Sequence, residues 1–266
     1  TVRYGLNGYY YTQDATGSIG CNNSVFGDPL YGYGKQCHYD SNSSSVAGTT
    51  WTAQSSGTSK DFRGVTYGNN KYVAVGKDGK IFTSTSGETW TAQTSGVSSE
   101  LKNVEYLNGI FVAVGGSGKI LTSTNGTTWT SRTSGVNTAN SGGNLYGVGY
   151  HNGTFVVAGK TGQIVTSTNN GVTWTTRSSG TTEHFYRVVN NSDGTFFVSG
   201  DAGKILASSD GTTWTSKTSG TSEKLTGLTY GNNDNVLVAV GFNGTILTSS
   251  NAFETTEESV KLSLHN

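Results

Sequence analysis

Five tryptophans, Trp51, Trp90, Trp129, Trp174 and Trp214, stand 39, 39, 45 and 40 residues apart, each inside a near-copy of one phrase. The copies read AGTTWTAQSSG (47–57), SGETWTAQTSG (86–96), NGTTWTSRTSG (125–135), NGVTWTTRSSG (170–180) and DGTTWTSKTSG (210–220). Between them runs a second repeated phrase, for example GVTYGNNKYVAVGKDGKIFTST (64–85) and NVEYLNGIFVAVGGSGKILTST (103–124). A unit of about 40 residues cannot bury its apolar face alone and must stack on the next copy. Each copy holds four short runs rich in Val, Ile, Thr, Tyr, Phe and Trp, which suit a pleated, half-buried surface. Asn-Gly, Asn-Asn and Asp-Gly links supply tight turns. The predicted fold is all-β: a five-bladed β-propeller of four-stranded antiparallel blades, with a small N-terminal β module.

The blades occupy 51–266 on this reading, preceded by the module at 1–40 and a serine-rich linker at 41–50. The fifth copy carries Thr255 where Trp is expected, so its fourth strand is degenerate. Residues 51–55 stand before the first unit as a fourth strand without a blade. They are expected to complete the last blade and so close the ring, removing open strand edges. Only the last segment, Glu254 to His265, carries any hint of a helical period.

Composition narrows the function classes. The 17 basic and 17 acidic residues balance, and no Lys/Arg cluster stands out. A nucleic-acid partner needs a basic patch to neutralise phosphates, so none is expected. No apolar run reaches the 18 residues that would suggest a membrane-crossing helix, and membrane insertion is not expected. No signal peptide is visible before Thr1, which suggests a processed or truncated product. Low charge with abundant Thr, Ser, Asn and Gly points to a secreted, extracellular protein, where Cys21 and Cys37 are expected to form a disulfide.

The turn-plus-Trp phrase resembles the Asp-box of sialidase-type BNR repeats, S-x-D-x-G-x-x-W. Ser167 to Trp174 keeps that spacing with Asn169 for Asp, and Ser208 to Trp214 keeps Asp210 but is one residue shorter. Propellers of photosystem assembly factors and of several lectins look similar. The resemblance implies that the box is a turn between third and fourth strands and that its Trp packs between blades. It does not bring sialidase chemistry. Arg3, Arg63, Arg132, Arg177 and Arg187 do not suggest a carboxylate clamp, and Arg132 and Arg177 share one outer-strand position with Gln54, Gln93 and Lys217.

Residues 2–39, VRYGLNGYYYTQDATGSIGCNNSVFGDPLYGYGKQCHY, resemble part of a small cysteine-containing module found on secreted carbohydrate-active proteins of bacteria and fungi. The resemblance implies a carbohydrate-related role.

The search for chemistry gives few groups. His38, His151, His184 and His265 are scattered, without metal-ligand spacing, so neither metal nor cofactor is expected. Asp61, Glu100, Glu183 and Glu223 occupy nearly equivalent positions in the loops leading into four of the first strands, with His184 beside Glu183. They are expected on one loop face as a ligand-binding rim. Tyr67, Tyr106, Tyr150 and Tyr230 recur at one inner-strand position and are expected near it, either in the core or on the ligand. The expected function is non-catalytic, lectin-like carbohydrate binding. The alternatives are a structural or adhesive surface or filament protein that self-associates and, ranked below it, a glycoside hydrolase.

Overall fold

The computed structural model describes residues 2–6, 9–13, 36–39, 51–136, 138, 143–231 and 236–249. The chain divides into two compact units, Thr1–Ala53 and Gln54–Asn266. In the first, strands β1 (Val2–Leu6), β2 (Tyr9–Gln13) and β3 (Gln36–Tyr39) form an antiparallel sheet in the order β2-β1-β3. Cys37 lies on β3 opposite Tyr4. Cys21, and with it the expected disulfide, lies outside the described residues, as do the linker and the segment from Glu254 to His265.

The second unit is a five-bladed β-propeller. Blade one comprises β4 (Phe62–Gly68), β5 (Lys71–Gly76), β6 (Ile81–Ser84) and β7 (Thr91–Gln93). Blade two comprises β8 (Leu101–Leu107), β9 (Ile110–Gly115), β10 (Ile120–Ser123) and β11 (Thr130–Arg132). Blade three follows with β12 (Leu145–His151), β13 (Thr154–Gly159), β14 (Ile164–Ser167) and β15 (Thr175–Arg177). Blade four has β16 (Phe185–Asn190), β17 (Phe196–Gly200), β18 (Ile205–Ser208) and β19 (Thr215–Lys217). Blade five has three described strands, β20 (Leu225–Gly231), β21 (Val236–Gly241) and β22 (Ile246–Ser249).

Strand alternation explains how one apolar run serves two neighbours, because successive side chains point to opposite faces. In β9, Ile110, Val112 and Val114 face forward and pack with Val148, Phe155 and Val165 of blade three. Phe111 and Ala113 of the same strand face backward and pack with Val73, Val75 and Ile81 of blade one. The same register joins blade three to blade four through Val156, Ala158, Ile164, Phe185, Val188 and Phe196. Phe197 and Ala207 meet Leu237 at the fourth junction. Each fully buried Phe or Leu contributes about 1.5–3 kcal/mol, so the junctions dominate the fold's stability.

Close approach fixes one glycine per blade. A Cβ on Gly200 would lie 2.0 Å from the His184 carbonyl, and one on Gly76 would lie 2.1 Å from that of Asp61. These glycines let a short 3₁₀ turn after each second strand sit on the loop that enters the first strand, as in the bond from Asp201 N to His184 O.

The expected closure is not formed. Residues 51–55 adopt no strand, and among the described residues the fifth sheet ends at β22. The faces that closure would bury are open to solvent, with Val65 of blade one and Ile246 of blade five among the exposed apolar residues.

Candidate functional site

Each blade has two ends. At one, the fourth strand of a blade loops into the first strand of the next, beside the 3₁₀ turns. At the other lie the hairpins between first and second strands and the Trp-bearing turns.

The Trp end is built from repeated internal bonds. Ser123 Oγ accepts from Gly126 N at 2.9 Å, and Asn125 Oδ1 accepts from Thr127 N and Thr128 N at 2.9 and 2.8 Å. Asn169 and Asp210 do the same work, accepting from Thr173 N at 2.9 Å and from Thr213 N at 2.8 Å. Trp90, Trp129, Trp174 and Trp214 each donate Nε1–H to a glycine carbonyl three residues back, at 2.9 to 3.1 Å. The hydroxyl of Thr212, then the backbone N–H groups of Thr213 and Thr212, hold the Asp210 carboxyl far below the usual carboxylate range. Trp51 differs from its four counterparts in being exposed.

The four tyrosines also stand at this end or near it. Tyr67, Tyr106 and Tyr150 lie against Tyr72, Phe111 and Phe155, with ring centroids 4.6–4.7 Å apart. Tyr230 packs with the fourth junction and shares a hydrogen bond with Ser192. A seven-residue strand spans about 20 Å, so the structure separates these rings from the carboxylate rim with which they were expected to act.

The opposite end carries Asp61, Glu100, Glu183, His184 and Glu223 together, on the loops entering the first strands. Their roles there differ. Asp61 pairs with Lys77 at 2.7 Å and with Arg63 at 3.2 Å. Glu100 takes Arg63 at 2.6 Å and a short contact from Lys102. Burial works against the Glu100 charge, but Lys102 and Arg63 outweigh it and keep the carboxyl below its ordinary range. His184 Nδ1 accepts from Thr161 N at 3.1 Å, and Glu223 accepts from Asn243 at 2.9 Å. Arg132 and Arg177, as expected of outer-strand residues, donate to Thr122 and Thr166 on the neighbouring strand, each at 2.8 Å.

The convergent site lies inside this rim, and one backbone irregularity makes it. Every first strand slips register after its first residue: between Phe62 and Gly64, Leu101 and Asn103, Leu145 and Gly147, Phe185 and Arg187, and Leu225 and Gly227. The skipped residues are Arg63, Lys102, Tyr146, Tyr186 and Thr226. A bulge re-aims its extra side chain, and all five line one hollow of about 360 Å³ shared by the five innermost strands. Gly64, Val65, Asn103, Glu105 and Arg187 complete the lining.

The hollow is polar and carries mixed charge. Burial pushes the Glu105 carboxyl up, against a hydrogen bond with Asn103 and the nearby Arg187 charge. Tyr146 and Tyr186 lie with ring centroids 5.5 Å apart. Tyr186 donates to Asp201 at 2.9 Å, and Lys224 stands 5.1 Å from its ring centroid. Burial raises the Tyr186 hydroxyl's pKa. Sequence reading found the carboxylate rim and missed the bulged residues. Their signal was the column one place after the first apolar residue of each unit. It reads Arg, Lys, Tyr, Tyr, Thr, whereas the column before it repeats as Phe or Leu and the column after it is Gly except at Asn103 and Arg187.

With this geometry in place, the likeness to known families can be stated. Residues 148–264 match the family model of the DUF6242 beta propeller domain. That stretch of the chain is similar to a β-propeller family. Virginiamycin B lyase from Staphylococcus aureus superposes with a TM-score of 0.61 at 14% identity, over 74% of this chain and 72% of that one. YCF48 bound to D1 peptide gives 0.55 at 16%, over 72% and 64%, so this chain spans under two thirds of the YCF48 chain. The RRP9 WD40 repeats give 0.55 at 9%, over 68% and 60%. At these identities the likeness is one of fold. No curated protein matches the chain by sequence.

Proposed function

We propose that this chain is a non-catalytic binding protein of the extracellular space, and that it takes an acidic carbohydrate in the hollow shared by the five innermost strands. One observation carries the reading: five backbone bulges aim Arg63, Lys102, Tyr146, Tyr186 and Thr226 into one hollow. Glu100 and Asp61 pair with Arg63 and Lys102 from the rim, while the charged groups of the lining itself are three cations, Arg63, Lys102 and Arg187, and one carboxyl, Glu105. The hollow therefore favours a ligand carboxylate or sulfate. The two tyrosine rings offer apolar faces to a sugar ring, and Asn103 and Thr226 offer hydrogen bonds to hydroxyls. Glu100 is tied to two cations, which suits positioning better than proton transfer.

A peptide is the second reading, because one structurally similar propeller is YCF48 bound to D1 peptide. An extended acidic peptide meets the same cations. Titration with uronic-acid oligosaccharides, neutral oligosaccharides and acidic peptides separates the readings. Binding is expected with the acidic sugars alone, weakened at least about tenfold in Tyr186→Ala and Arg187→Ala. Binding of the peptides alone replaces the first reading with the second. Cleavage of the oligosaccharide, lost in Glu105→Gln, overturns the non-catalytic assignment.

A further inference from the structure

The two outward faces of the propeller are the two halves of its own internal junction. At the internal junctions, the backward-facing residues Leu101, Leu145, Phe185 and Leu225 are 0% exposed. Their counterpart in blade one, Phe62, is 37% exposed. Val104, Val148 and Val188 are 0–6% exposed, against 64% for Val65. The forward face behaves likewise. Ile81, Ile120 and Ile164 are 0–1% exposed, against 70% for Ile246, and Val240 reaches 42% where Val75 and Val114 are at 0%.

The chain leading into blade one carries the other part of the argument. Trp51 stands eleven residues before Phe62, as Trp90 stands before Leu101, so residues 51–61 repeat the segment joining one blade's fourth strand to the next blade's first. Residues 51–55 are therefore written as the fourth strand of a blade packed behind blade one. In this structure they form no strand, and Trp51 is 90% exposed. Blade five has the complementary shape: among the described residues it has three strands with β22 at the edge, and Val240 and Ile246 on its forward face are exposed.

We infer that a second copy of this chain fills both positions: blade five of one copy docks behind blade one of the next and receives its residues 51–55 as a fourth strand. The contact continues the interface already used four times within the molecule. The register follows from blade two, where Thr122 opposes Thr130 and Ile120 opposes Arg132. By the same count, Thr248 of one copy opposes Thr52 of the next. Such an interface is head-to-tail, joins unlike faces and leaves one of each kind at the ends, so it grows into chains rather than stopping at a two-fold dimer. The front face is separate from the hollow, while the rear face touches it at Val65, so Ile246→Glu is the variant that leaves the ligand reading untouched.

Two charged variants of the full chain test it, Val65→Glu on the rear face and Ile246→Glu on the front face. Both positions are exposed, so each variant is expected to fold, with a melting temperature matching the wild-type monomer. By light scattering, the wild type gains mass with concentration. Either variant stays monomeric alone or as an equal mixture of two copies of itself. Mixing the two variants gives a species of twice the monomer mass, because each retains one sound face. A Thr52→Cys chain mixed with a Thr248→Cys chain forms a reducible heterodimer that neither gives alone. A wild type that stays monomeric at every concentration, or a mixture no heavier than its parts, overturns the inference. So does a failure of the two cysteine chains to cross-link.

Discussion

The two ends of the blades obey opposite rules. At the Trp end, blades two to four spend the same residue types on the same bonds, a serine hydroxyl, an Asx oxygen and an indole N–H, and in blade one Ser86 takes the Asx place. At the hollow, the backbone bulge repeats but its side chain changes from blade to blade. Repetition inside a chain reports what each blade needs to fold and pack. Departure from repetition reports what the assembled molecule presents outward. Carboxylates that recur before four of the five first strands looked like a site, yet Asp61 and Glu100 are largely spent on neighbouring cations.

The contrast can be broken most forcefully at a repeated core position. Phe155 is fully buried between Tyr150 and Trp174, and Phe155→Ala is expected to cost about 3–5 kcal/mol in chemical denaturation. A cost under about 1 kcal/mol would mean that the junctions do not hold the fold. A pair of glycines comes next. Gly203 and Gly220 both have left-handed φ, 65° and 75°, but a Cβ on Gly203 would meet the Thr221 carbonyl at 1.9 Å while one on Gly220 meets nothing within 4 Å. Gly203→Ala should cost more than about 2 kcal/mol and Gly220→Ala about 1 kcal/mol. Equal costs would show that close approach does not matter there.

Smaller effects separate the Asx turns. Asp210→Ala removes the acceptor for Thr212 and Thr213 and should lower stability by about 1 kcal/mol at neutral pH. Asp210→Asn should cost less, because Asn125 and Asn169 already fill that role in blades two and three. Since folding lowers the Asp210 pKa, its contribution is present above the ordinary aspartate value and fades as pH falls toward the folded value. The Asp210→Ala deficit should therefore shrink in acid. A deficit independent of pH would assign the turn's stability to something other than the charge.

The smallest expected effect belongs to the hollow. Folding raises the Glu105 pKa, so the wild type loses stability as pH climbs from the ordinary glutamate value through the raised one. Glu105→Gln should be slightly more stable than wild type at neutral pH and equal to it below the ordinary glutamate value. Thermal melts across that range read the difference, and a variant less stable at neutral pH would mean that Arg187 dominates over burial.

The reach of the sequence is clearest at particular residues. Strand alternation in IFVAVG (110–115) shows which residues turn to each face, because the period of two is a local property of extended backbone. The family resemblance implied that Trp129 packs between blades, and it lies against the junction of blades one and two. Arg63 and Tyr186 were not legible as site residues, because one slip in register sends a side chain into the hollow and register belongs to the paired strands. The tyrosines were misplaced for a related reason. Their common column showed equivalence but not which end of a 20 Å strand they occupied relative to the rim (about seven residues at the usual rise).

By itself, then, the sequence determined the four-stranded unit, its fivefold repetition and the apolar columns that join one unit to the next. Those are set by local periodicity and turn chemistry. Only the tertiary structure decided where the bulged side chains converge and that the first and last faces stand open. Both depend on small rotations summed from blade to blade, and no single repeat encodes that sum.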